Sequence, residues 1–155
     1  MTKSAEETKR FAQELASKIT FPAIICLYGD LGSGKTTFTK GFAKALGGVE
    51  KDIKSPTYTF VRSYELRKPP ADRTKDREGF SPIVMLHHFD FYRIHEPDEL
   101  LIHDIEEIFN QKNAVVLIEW PERISNFLPT KRWNIQFKIK DENTRSLSIS
   151  SPTDD

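Results

Sequence analysis

The sequence predicts an α/β protein: a mainly parallel β-sheet flanked by helices, with a C-terminal antiparallel β-hairpin. Three observations predict it. Short apolar runs recur without polar alternation ("AIICLY", the start of "IVMLHHFDFYR", "AVVLIEW"), as in strands buried on both faces. Segments of helical periodicity lie before and between those runs. The last two segments, "RWNIQFKIK" and "RSLSIS", alternate around the polar turn "DENT", as a hairpin with one buried face does. A length of 155 residues, 37% of them hydrophobic, suits a single domain over 1–155 with one core.

"SAEETKRFAQELASKI" opens as a helix. Ser4 followed three residues later by Glu7 fits a capping box. Phe11, Leu15 and Ile19, with Ala12 and Ala16, form its apolar stripe. "AIICLY", Ala23 to Tyr28, is a buried strand, and its Cys26, the one cysteine, reads as a buried, inert thiol. A glycine-rich turn leads into a second helix, "KTTFTKGFAKAL", stopped by Gly47 and Gly48. "SPTYTFVRSYE" is rich in β-branched and aromatic residues and enters or forms a strand.

Leu66 to Pro82 is polar, holds three prolines and a glycine, and reads as a mobile surface insertion. Its five basic and three acidic residues suit either a solvated segment or a contact surface for RNA or a partner. "IVMLHHFDFYR" opens as a strand. "PDELLIHDIEEIF" follows as a helix, with Pro97 in its first turn and Leu101, Ile105 and Ile108 on one face. "AVVLIEW" is a third buried strand and ends in a carboxylate. In the final hairpin Trp133, Ile135, Phe137 and Ile139 share a face.

Lys+Arg and Asp+Glu are both 23, so the net charge is zero. A free-standing nucleic-acid binder carries a positive excess. The N-terminus has no apolar signal region, and no run approaches the ~20 apolar residues of a membrane helix. A soluble, cytoplasmic protein is expected.

In open α/β sheets ligands bind beyond the C-terminal strand ends. Gly29, Asp90 and Glu119 each stand at such an end, far apart in sequence. Gly29-x-x-x-x-Gly34-Lys35-Thr36 matches the phosphate-binding loop signature, so the fold expected is P-loop NTPase-like. Gly29, Gly32 and Gly34 let backbone N–H groups turn inward, and the helix that follows adds the positive end of its dipole. Lys35 is placed for the β- and γ-phosphates, Thr36 for a bridging Mg²⁺, and Thr37 for a further phosphate contact.

Glu119 stands where such proteins place a metal-binding carboxylate. It can touch the metal, hold a metal-bound water, position the attacking water, or be a solvated strand end. Asp90, among Phe89, Phe91 and Tyr92, needs a metal or a partner such as Arg93. Thr57 is either a sensor of the γ-phosphate or a turn threonine. His87 and His88 are adjacent, cannot share one metal site, and read as structural.

"LYGDLGSGKTTFTKGFAKALG", "KSPTYTFV", "HHFDFYRI", "DEL" and "LIEWPERI", in that order, resemble the bacterial TsaE (YjeE) family from the first helix to the hairpin. The resemblance implies an ATPase component of the machinery that makes threonylcarbamoyladenosine in tRNA. That component acts with TsaD and TsaB, and contact with tRNA is indirect, through the complex. It implies ATP phosphates on Gly32, Ser33, Gly34, Lys35, Thr36 and Thr37, Mg²⁺ on Thr36 and Glu119, and catalytic-cycle roles for Lys35, Asp90 and Thr57. Trp120 matches the family's aromatic, and Arg145 matches a frequently basic position that suits nucleotide contact. The segment from Pro69 to Pro82 departs from the family by its length.

Two other functions use the same loop. A small-molecule kinase needs an arginine-bearing lid, and the only long loop precedes Asp90 and Glu119 rather than following them. A GTPase normally carries an Asn-Lys-x-Asp base-reading motif, which does not occur here.

Overall fold

The computed structural model describes residues 1–56, 59–67 and 83–152. The candidate Thr57 and insertion residues 68–82 lie outside the described residues. Six strands form one sheet in the order β2-β3-β4-β1-β5-β6: β1 Ala23–Tyr28, β2 Val61–Arg67, β3 Ile83–Asp90, β4 Ala114–Glu119, β5 Trp133–Ile139 and β6 Arg145–Ser150. The four central strands run parallel, and β2 and β6 close the two edges antiparallel. The sheet is mainly parallel and carries the C-terminal hairpin expected.

Helices α1 (Ala5–Lys18) and α2 (Lys35–Ala45) cover one face. Their apolar stripes meet the inward residues Ile25, Leu27, Leu117, Ile135 and Phe137. Helix α3 (Glu99–Phe109) and a 3₁₀ segment, Pro121–Phe127, lie on the other face, over Cys26, Phe89, Val116 and Ile118. Burial pushes the Cys26 thiol up to about 12, as an inert core thiol requires. Among the described residues no helix is long and apolar enough to cross a membrane.

Local differences from the sequence reading have physical causes. Ser4 caps α1 by accepting from Glu7 N at 3.1 Å, but the Glu7 carboxylate accepts from Lys3 N at 2.7 Å rather than closing the box on Ser4. Pro97 precedes α3 instead of lying in its first turn, because Asp98 is the cap and accepts from Leu101 N at 2.8 Å. Leu66 and Arg67, read as the start of the insertion, are the end of β2: Leu66 is buried and pairs with Val84, and Arg67 pairs with Ile83. Strand β4 stops at Glu119, since Trp120 turns left-handed at φ 59°.

Candidate active site

The site forms where β1, β3 and β4 end side by side. Strand β1 delivers the chain into the turn Gly29–Gly34, which opens α2. Gly34 precedes the helix at φ +107°, a conformation that L side chains rarely adopt. Gly29 is required by packing as well, because a Cβ there would meet Ser33 Oγ at 2.7 Å and Phe137 O at 2.8 Å. The first backbone bond of α2 runs from Phe38 N to Gly34 O at 2.9 Å, which leaves the N–H groups of Lys35, Thr36 and Thr37 without an acceptor among the described residues. Ser33 Oγ is buried and also unpartnered among the described residues. Unpaired donors at the positive end of a helix dipole form an anion cradle.

A cavity of about 270 Å³ opens over this turn, bounded by Gly32 to Thr37 on one side and by Ser55, Asp90, Glu119 and Trp120 on the other. A larger cavity, about 700 Å³, lies at the opposite end of the sheet among Phe21, Phe109 and Trp133. Among the described residues its lining holds no carboxylate, whereas the smaller one holds Asp90 and Glu119.

The side chains in the cradle form a connected chain. Thr36 Oγ1 donates to the Glu119 carboxylate, with its two oxygens at 3.1 and 3.3 Å, across 83 residues of sequence. Thr36 Oγ1 and Ser55 Oγ lie 3.0 Å apart, so the Ser55 hydroxyl donates to Thr36. Glu119 is 3% exposed and its Oε2 lies 2.7 Å from His88 Nε2. Asp90 pairs with Glu119 in the sheet register, so both carboxylates leave neighbouring strand ends on the same side. Arg93 makes no ion pair with Asp90 among the described residues; Asp90 Oδ1 accepts from Tyr92 N at 3.0 Å. Burial holds the Asp90 carboxyl above its ordinary value, the Tyr92 N–H counters this, and the Glu119 charge adds to it.

Lys35 is 5% exposed. Its ammonium donates to Gly29 O and sits 3.9 Å from the Trp120 ring centroid. Burial pulls its pKa down, against the carboxylates of Glu119, Glu122, Asp90 and Asp30. Trp120 thus has a physical role that sequence reading does not supply: its left-handed turn lays the indole face under the lysine. Arg145 does not line the cavity. It clamps the cradle from outside, donating to Gly32 O at 3.2 Å and to the hairpin carbonyls of Asp141, Glu142 and Thr144.

The structure therefore brings Gly32, Ser33, Gly34, Lys35, Thr36, Thr37, Asp90 and Glu119 to one cavity, while Gly29 sits beneath it and offers its carbonyl to Lys35. Sequence reading missed Ser55 and His88. The signal for His88 was present: period-two alternation puts it on the same strand face as Asp90.

The family model for the threonylcarbamoyl adenosine biosynthesis protein TsaE matches residues 2–147. The chain is 34% identical over 150 residues to the Bacillus subtilis tRNA threonylcarbamoyladenosine biosynthesis protein TsaE, covering 97% of this chain and 83% of that one. It is 32% identical over 148 residues to the Rickettsia bellii protein of the same name, covering 96% and 91%. The crystal structure of Bacillus subtilis YdiB superposes with a TM-score of 0.67 at 30% identity, covering 97% of this chain and 82% of that one. With the fold, the phosphate-loop geometry and these similarities in agreement over nearly the whole chain, it belongs to the TsaE family of tRNA threonylcarbamoyladenosine biosynthesis.

Proposed function

We propose that this chain is a Mg²⁺-dependent ATPase. In this reading its ATP binding and hydrolysis drive formation of N⁶-threonylcarbamoyladenosine at position 37 of tRNA by a TsaB–TsaD complex. The observation that carries the proposal is the convergence of unpaired amides at Lys35, Thr36 and Thr37 with the Thr36–Glu119 pair. The amides bind a phosphate chain. Lys35, held meanwhile on Gly29 O and the Trp120 face, moves its ammonium onto the β- and γ-phosphates. Thr36 and Glu119 offer hard oxygen donors, a set that fits Mg²⁺. The ion, when bound, neutralises charge on the β- and γ-phosphate oxygens.

Thr36 keeps a lone pair for that ion while donating its hydrogen to Glu119. Glu119 orients the attacking water, and Asp90, beside it and raised in pKa, accepts or returns a proton at the same edge. Thr57 is assigned to sensing the γ-phosphate. The balanced charge of the chain suits a subunit whose partners hold the tRNA. One subunit lacks an arginine supplied in trans, so turnover alone is slow.

The test is Mg²⁺-dependent ATP hydrolysis by the chain alone and with TsaB and TsaD. Stimulation by the partners, loss of nucleotide binding in Lys35→Ala, and retained binding with turnover reduced about 10²-fold or more in Glu119→Gln are expected. Unchanged ATP affinity in Lys35→Ala would sink the proposal.

A further inference from the structure

We propose that His88 is the positioning residue of Glu119, and that glutamate rather than aspartate stands at 119 because only the longer side chain reaches it. This rests on the place of Glu119 in the ATP site proposed above. Strands β3 and β4 run parallel with Asp90 opposite Glu119 and His88 opposite Leu117. His88 is therefore two residues back from the strand end, on the face that Glu119 uses, about 6–7 Å down the strand. Their contact at 2.7 Å needs the Glu119 side chain to fold back over the sheet. On this inference a carboxylate one methylene nearer the backbone falls short of the imidazole, which Glu119→Asp tests below.

The two adjacent histidines differ in a telling way. His87 is satisfied at both nitrogens, by Ser63 Oγ and Gln111 Oε1, each at 2.7 Å. His88 is fully buried, yet among the described residues its Nδ1 has no partner and its single bond goes to Glu119. A buried polar atom left unpaired costs stability, so His88 is not there to satisfy the core. A carboxylate only accepts, so His88 Nε2 carries a hydrogen in this bond. That bond holds Oε2 and leaves the carboxylate facing Thr36 and the cradle.

The experiment uses the full chain with four variants: His88→Leu, His88→Gln, Glu119→Asp, and the double variant His88→Leu/Glu119→Asp. In His88→Leu, kcat is expected to fall about 10- to 100-fold, the range for groups that orient a metal-site ligand. ADP affinity without Mg²⁺ is expected to stay within about 3-fold of wild type. His88→Gln carries an N–H at similar reach and should recover most of the rate. The double variant should be no slower than Glu119→Asp, because that change already breaks the bond. A His88→Leu chain that hydrolyses at the wild-type rate, or equal impairment in Leu and Gln, overturns the proposal.

The bond is also read without turnover, from the imidazole nitrogen resonances of the wild-type chain. A protonated Nε2 whose resonance moves in Glu119→Ala supports the proposal, and a bare Nε2 or an unmoved resonance overturns it. A wild-type chain that binds and hydrolyses no ATP defeats the ATPase reading instead, and the nitrogen spectrum still decides the pairing.

Discussion

Asp90 is half-buried at a strand end, beside the Glu119 carboxylate, with one backbone N–H in compensation. Its raised pKa means that the folded chain holds the proton more tightly than the unfolded chain. Stability therefore falls as pH rises from the ordinary aspartate value, about 3.9, through the raised folded value, and the whole cost is present above it. Asp90→Asn is expected to raise the melting temperature near neutral pH, to lose that advantage in acid, and to impair hydrolysis throughout. A lower melting temperature at neutral pH would contradict the cost assigned to the buried carboxylate. Such a trade of stability for chemistry is common at active sites.

Helix α2 carries the cradle, and α1 holds α2 in place through close approach at Gly41. A Cβ there would meet the Lys9 backbone, at 2.4 Å from its carbonyl oxygen and 2.6 Å from its Cα. Backbone cannot step aside, so Gly41→Ala should destabilise the chain by about 1–3 kcal/mol despite the better helix propensity of alanine. A melting temperature equal to or above that of wild type would contradict the close packing.

Elements of this kind were legible in part. The α2 start, the β1 run and the hairpin follow from local spacing, and Lys35 and Thr36 follow from the motif. Gly41 reads as an ordinary helix glycine, because its constraint comes from another helix. His88 and Ser55 were missed for the same reason: their roles depend on register and on the loop after α2. Pro97 and Leu66 were misplaced by one or two positions, where a cap and a cross-strand pair decide the boundary.

At the scale of the whole molecule, the β2–β3 pairing is complete up to Arg67 and Ile83. Arg67 and Ile83 already face each other as a pair, so an Asn-Gly turn in place of residues 68–82 joins them in register. The melting temperature of that deletion should stay within about 4 °C, the effect of roughly 1 kcal/mol in a chain of this size. A larger drop would show that the segment packs on the body, and lost stimulation by TsaB and TsaD would place a partner contact there.

The two tryptophans lie at opposite ends of the sheet, Trp120 beneath Lys35 at the cradle and Trp133 at the start of β5. In the ATPase reading proposed above, a bound phosphate draws the ammonium away, so the Trp120 indole would lose the cation over its face while Trp133 would be undisturbed. The chain would then carry its own optical gauge of occupancy, with a built-in reference. Titration with nucleotide should change the intrinsic emission, and the change should vanish in Trp120→Phe and persist in Trp133→Phe.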